Sequence, residues 1–186
     1  MPENCEIAAS AIVYPGTVLG EGCKILDNAV VGKQPSLGKK STAKKEPLPP
    51  AVIGAGATIS TGAIVFAGAT IGPDAIVGDQ ACIRERVTLG TNTVVGRGSL
   101  VENDTTIGDR TRVQAGAYIT AYVTIEEDVF IAPCVQTTND NFMGRTEKRL
   151  ELMKGPTIRR RRRGHQGRCA AHRGGRKSGS QVARRG

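Results

Sequence analysis

Histidine is scarce in this chain and tryptophan is missing: its 186 residues hold two histidines, His165 and His172, and no Trp. Residues 1–158 carry no histidine at all, so chemistry there that calls for a proton acceptor near neutral pH has no imidazole to use. Aromatics number six (Tyr14, Phe66, Tyr118, Tyr122, Phe130 and Phe142), too few to fill a core with rings. The core must be aliphatic. Five cysteines (Cys5, Cys23, Cys82, Cys134, Cys169) include no C-x-x-C pair, which predicts reduced thiols in the cytoplasm rather than a disulfide framework or a zinc site. No apolar run approaches the length of a membrane span and no signal-peptide pattern is seen, so a soluble, cytoplasmic protein is expected.

The net charge of +9 hints at nucleic acid, but acid is missing only from one end. Residues 159–186 hold eleven basic side chains and no Asp or Glu, whereas residues 1–158 hold 15 basic and 17 acidic ones. The body is nearly neutral, and the excess sits in a tail.

What the chain does have is a beat of six. Aliphatic residues recur at Ile53, Ile59, Val65, Ile71, Val77, Ile83 and onward without a miss to Ile131, and an earlier series runs Ile7, Val13, Leu19, Ile25, Val31. Four residues after each aliphatic comes a small or β-branched residue, as at Ala57, Ala63 and Ala69. Six matches neither the 3.6 of a helix nor the 2 of a plain strand. It fits a short strand and a tight turn repeated into a solenoid, with the aliphatic inward and glycine, Asn or Asp just after it relieving the turn.

With three repeats per coil, residues 18 apart stack and the corners sort into three columns. Column one reads Gly54, Gly72, Gly90, Gly108, Glu126, and column two Ser60, Gly78, Gly96, Gln114, Ala132. Column three, Phe66, Arg84, Glu102, Thr120, Thr138, has no glycine. Beside it stand Arg84-Glu85-Arg86, Glu102-Asn103-Asp104, Thr120-Ala121-Tyr122 and Thr138-Asn139-Asp140. Two excursions, 33–50 and 139–157, leave from this same edge, where binding groups tend to gather beside a rigid scaffold. Two readings stay open: a substrate cleft lined by Arg84, Glu85, Arg86, Glu102, Asn103 and Tyr122, or a solvated ladder of opposite charges.

The six-residue repeat resembles the hexapeptide-repeat acyltransferases, and "VQAGAYITAYVTIEEDV" with "VFIAPCVQTTNDNF" is similar to bacterial nucleotide-sugar acetyltransferases of that group. The resemblance covers about residues 1–158. It implies an all-β, left-handed parallel β-helix of about six coils over residues 1–138, external loops at 33–50 and 139–158, and an irregular tail at 159–186. It also implies acetyl-CoA as co-substrate, a sugar acceptor for surface polysaccharide, and a homotrimer with sites between subunits. No membrane partner is expected, and nucleic acid is disfavoured. By the same resemblance Asp140, Asn139 and Gln114 are the catalytic candidates, Asp140 steering the amine proton, and Ala132 and Pro133 contact coenzyme A. Ala115-Gly116 departs from the pattern where such sequences often carry asparagine.

A sugar hydroxyl must be deprotonated to attack a thioester, whereas a free amine is already nucleophilic; a body without histidine therefore favours N-acylation over O-acylation. It also speaks against the hexapeptide carbonic anhydrases, which need three histidines on zinc, and no metal is expected. Lys39, Lys40, Lys44 and Lys45 in the first loop are candidates to meet phosphate. The alternatives are an O-acetyltransferase of the same fold and a truncated or non-catalytic assembly module.

After Ile158 the beat stops. Residues 159–186 read as a basic disordered tail for nucleic acid or an acidic partner, an extension without a role, or, the reading favoured, a GC-rich region translated out of frame, which would remove the last coils and part of the coenzyme A groove. Translating the other two frames downstream of Ile158 distinguishes them, because a recovered hexapeptide beat would mark the true frame.

Overall fold

A strand needs only two residues here because its neighbours supply the rest. In each, the first side chain points out and the second in, as in Ile76–Val77, where Ile76 is exposed and Val77 wholly buried. The computed structural model describes residues 4–36, 38, 46–140 and 155–160. Among them are twenty short strands and no helix, from β1 (Glu6–Ile7) to β20 (Thr157–Ile158). The first nineteen each contain one of the nineteen beat aliphatics.

Every third strand pairs in parallel, residue with residue one coil on: Ile76 with Val94 and Val77 with Val95. Three sheets of 7, 6 and 7 strands form three faces. The first runs from β1, the second from β2 (Ile12–Val13) and the third from β3 (Val18–Leu19). The product is a left-handed parallel β-helix of about seven turns. Six were expected, and the difference is at the end, where the chain returns from its second excursion. There β20 lies against β18 (Thr124–Ile125), and Ile158 takes the place above Ile125. Residues 157 and 158, expected in the external loop, thus resume the beat.

The inward column is aliphatic and closes with small residues, chiefly alanine in the first half. Further on, Thr93, Ser99, Thr105 and Thr111 take the alanine slot and are buried. Their hydroxyls are satisfied, donating to the carbonyls of Gly108, Gln114, Thr120 and Glu126 in the next coil at 2.8–3.2 Å.

Glycine's role at the corners differs from expectation. The left-handed residue is the third after the aliphatic, as at Gly56, Asp74 and Asn92 (φ 66, 54 and 54), not the first. The first position wants glycine for closeness: a Cβ on Gly72 would sit 2.6 Å from the carbonyl carbon of Gly90, and one on Gly54 would sit 2.5 Å from the nitrogen of Pro73. Corners one and two are therefore tight, and the corner amide that spans to the previous coil does so at 2.8–3.0 Å, as from Gly98 to Asp79 and from Cys134 to Ala115.

Candidate active site at the third corner

The third corner joins the second face to the third, and its first positions from Phe66 to Thr138 hold no glycine. Its spanning amides are longer: Asp104 N donates to Glu85 O at 3.3 Å and Tyr122 N to Asn103 O at 3.2 Å. The glycine-free column is thus also the loosened edge. Both excursions replace this corner. The first leaves after β5 (Val30–Lys33) and returns at β6 (Val52–Ile53), and the pairing of Val31 with Val65 keeps register across it. The second leaves after Gln136, which bridges to Tyr118, and returns at β20.

The root of the first excursion is tied to the corner. The Gln34 side-chain amide donates to Leu48 O at 2.9 Å and accepts from Leu48 N at 3.0 Å, a two-point clasp across fourteen residues. Gly68 is the contact point: a Cβ there would lie 3.5 Å from Arg86 N and 3.6 Å from Leu48 Cβ. The second excursion returns just as closely. Gly155 lies on the Tyr122 carbonyl with no room for a Cβ, and Thr124 N donates to Pro156 O at 3.1 Å.

Between these roots lie the expected substrate residues. Glu85 is 3% exposed and takes a two-pronged contact from Arg84, at 2.9 Å and 3.2 Å. Arg84 also reaches Glu102 at 3.5 Å, and its guanidinium lies 5.1 Å from the centre of the Phe66 ring. Lys33 Nζ lies 5.9 Å from the same ring. One coil on, Arg86 holds both oxygens of Asp104 at 2.7 Å and 2.9 Å, and Asn103 donates to Asp104 at 2.6 Å. The Arg86 hydrogen bond, opposed by partial burial and helped by Asn103, keeps the Asp104 carboxyl below its usual range. Tyr122 is exposed and left-handed (φ 65), an unusual conformation for a bulky side chain. Above it Asn139 donates to Ala121 O at 3.0 Å and Thr137 Oγ1 accepts from Thr120 N at 2.8 Å; Asp140 follows, half-buried.

Arg84, Glu85, Arg86, Glu102, Asn103, Tyr122, Asn139 and Asp140 therefore share one corner. Gln114, Ala132 and Pro133 stack on the second corner instead, on the other side of the second face; Gln114 N donates to Ile131 O and Cys134 N to Ala115 O. Residues that sequence reasoning passed over are Lys33, Gln34 and Leu48. Register alone would put Gly32 one coil below Phe66; a shift between Val31 and Lys33 puts Lys33 there instead, and like the Gln34 clasp it leaves no periodic trace. Lys39, Lys40, Lys44, Lys45, His165 and His172 lie outside the described residues. Among the described residues no group of three or more His, Cys, Asp or Glu could hold a metal, and no helix is long and apolar enough to cross a membrane.

The corners, faces and beat define a class: a hexapeptide-repeat β-helix. Residues 68–121, which include the Arg84 to Asp104 rungs, match the family profile described as the hexapeptide repeat of succinyl-transferase. No curated protein matches the chain. Among solved structures it is similar to LpxA, a UDP-N-acetylglucosamine acyltransferase from Bacteroides fragilis, with a TM-score of 0.68 at 18% identity over 87% of this chain and 59% of that one. That likeness is one of fold. A perosamine N-acetyltransferase from Caulobacter crescentus, solved with CoA and GDP-perosamine, gives a TM-score of 0.46 at 19% identity over 83% of this chain and 52% of that one. The acetyltransferase domain of PglB from Neisseria gonorrhoeae, solved with acetyl coenzyme A, gives 0.31 at 20% over 72% and 54%. These two superpose too loosely to bear on the argument. The chain spans between about half and three-fifths of the length of these three proteins.

Proposed function

We propose that the chain is an acyltransferase of the hexapeptide-repeat type, moving acetyl from acetyl-CoA to the amino group of a nucleotide-linked sugar at the third corner. One observation carries the reading: both excursions and the charged rungs converge on one corner, the one whose spanning amides are longer. The match of residues 68–121 to a transferase repeat agrees with it.

The amine lone pair attacks the thioester carbonyl carbon, the C–S bond breaks, and the departing thiolate accepts the amine proton. The protein's part is to orient the acceptor, exclude water and supply N–H donors to the developing oxyanion. Asp140 steers the proton, Asn139 and Gln114 orient the substrate, and Ala132 and Pro133 contact coenzyme A. Since Gln114 and Asn139 occupy different corners, a single site using both draws them from two copies of the chain, which fits a homotrimer. Arg84 and Arg86 face phosphate or carboxylate, and Glu102, Asn103 and Tyr122 the sugar and base.

A second reading has its own support. Arg84 with Glu85 and Glu102, and Arg86 with Asp104, neutralise one another, as a structural ladder would. Mixing the purified chain with acetyl-CoA or succinyl-CoA and a panel of amino and hydroxyl sugar nucleotides, and following thiol release, separates them. Release with an amino acceptor is the expected outcome. Release only with a hydroxyl acceptor establishes O-acylation, and no release from a folded oligomer leaves the assembly module.

A further inference from the structure

Cysteine spacing in this fold has to be read in units of a coil. Cys5 and Cys23 are 18 residues apart and stack in register beside the paired Glu6 and Lys24 at the amino-terminal end of the prism. The Cys23 thiol donates to Cys5 Sγ at 3.3 Å, and the Cys5 thiol donates to Gly20 O at 3.1 Å. Cys23 is wholly buried in the slot that Ala57 and Ala75 fill in later coils, while Cys5 is half-buried. The other described cysteines have no such neighbour: Cys82 pairs with Ile64 and Leu100, and Cys134 stands against Gly116.

We propose that Cys5 and Cys23 form an oxidative modification site, a thiol pair that low-molecular-weight disulfides convert into an intramolecular bond joining the first coil to the second. In-register parallel neighbours lie about 4.8 Å apart, inside the Cα separation of roughly 4.4–6.8 Å that a disulfide accepts. The sulfurs must still close from 3.3 Å to about 2.05 Å. The first described coil can supply that movement, since it is paired on one side only, whereas inner coils are held from both.

The half-buried Cys5 is the point of entry. Its thiolate attacks one sulfur of glutathione disulfide and displaces a glutathione thiolate. Cys23 then attacks Cys5 Sγ and expels the second. Two protein thiols lose two electrons and two protons, and one glutathione disulfide becomes two glutathione thiols. Burial first, and then the hydrogen bond and charge of Cys5, push the Cys23 thiol up to about 12, so closure is slow near neutrality and accelerates as pH rises. The described thiols are free here, and in a solenoid the interval that brings two of them together is one coil of 18 residues rather than C-x-x-C.

The full chain, freed of reductant, is incubated with glutathione disulfide at about pH 8 and pH 9, blocked with N-ethylmaleimide and digested. Lys24 is the first basic residue, so trypsin leaves both cysteines in residues 1–24. Oxidation should give this peptide two hydrogens lighter and free of maleimide, sooner at the higher pH. Cleavage after Glu6 and Glu21 should leave pieces joined until dithiothreitol is added. Amide exchange at Glu6 and Ala8, which hydrogen-bond to the second coil, should slow on oxidation. Cys23→Ala, matching Ala57 in the same slot, should stop at a Cys5–glutathione adduct. Persistence of that adduct in the unsubstituted chain, or maleimide on both cysteines after oxidant, overturns the proposal.

Discussion

Replacing Arg84 and Glu85 by methionine, singly and together, tests whether the first charged rung is held by one partner or by several. Glu85 is 3% exposed and its cation is Arg84, so Arg84→Met leaves a buried carboxylate without its pair. Breaking a buried pair in this way costs about 3–5 kcal/mol. The Arg84 side chain is 28% exposed, so water reaches the gap and reduces the cost to about 2–3 kcal/mol. Glu85→Met is milder, about 1 kcal/mol, because Arg84 keeps Glu102 and the Phe66 ring. With both gone only Glu102, which is partly exposed and touches Arg84 once, loses a partner, and the double variant should lose about 1–2 kcal/mol, a coupling of about 2 kcal/mol. Urea unfolding followed by far-ultraviolet circular dichroism measures this in a chain without tryptophan. Equal single costs, or an additive double variant, would refute the account of Glu85. In the acyl-transfer assay a folded Arg84→Gly, Glu85→Ser double variant should bind acceptor more weakly; unchanged kcat/KM would make the rung a ladder and nothing more.

Three further outcomes are expected. Gly72→Ala meets backbone at 2.6 Å and should cost about 2–3 kcal/mol, whereas Gly98→Ala, left-handed at φ 64 but with open space around it, should cost about 1 kcal/mol; the reverse order in urea titrations would mean corner closeness is not why glycine is there. Asp104, held low by Arg86, contributes stability that is full above the unfolded carboxyl value of about 3.9 and is lost as pH falls through the lowered folded value. Thermal unfolding from about pH 5 to pH 2 should therefore fall less steeply in Arg86→Met than in the unsubstituted chain. Tyr122→Gly should raise stability by about 1 kcal/mol by relieving its φ of 65, yet weaken binding of a nucleotide sugar in calorimetry; a gain in stability with unchanged affinity would remove Tyr122 from the site.

The six-residue beat made the fold legible because one requirement, an inward aliphatic per strand, is met nineteen times, and the column arithmetic carried that to the right corner for both excursions. It failed where a residue's reason lies between coils rather than within a repeat. Glycine after the aliphatic looked like a turn residue, but Gly54, Gly72 and Gly90 are governed by the backbone of the next coil. The strand Thr157–Ile158 was hidden because the excursion before it breaks the count, though Ile158 stacks on Ile125. The site was legible only as a column: periodicity placed Arg84, Glu102 and Tyr122 together, but said nothing of which charges would be spoken for.

That pairing decides how such a corner could serve a substrate. An anion arriving at the third corner finds the guanidiniums of Arg84 and Arg86 already paired, so to reach either one it must displace an acid. The contacts are not equal. Arg86 and Asp104 meet through two short bonds, and Arg84 grips buried Glu85 through two more, but Arg84 and Glu102 touch once, at 3.5 Å. Glu102 is therefore the partner that an incoming phosphate or carboxylate would displace at least cost, leaving Arg84 oriented by Glu85 and by Phe66. On this argument Glu102→Gln should tighten binding of an anionic acceptor while Asp104→Asn, which frees a guanidinium needed to hold two coils together, should loosen the corner itself.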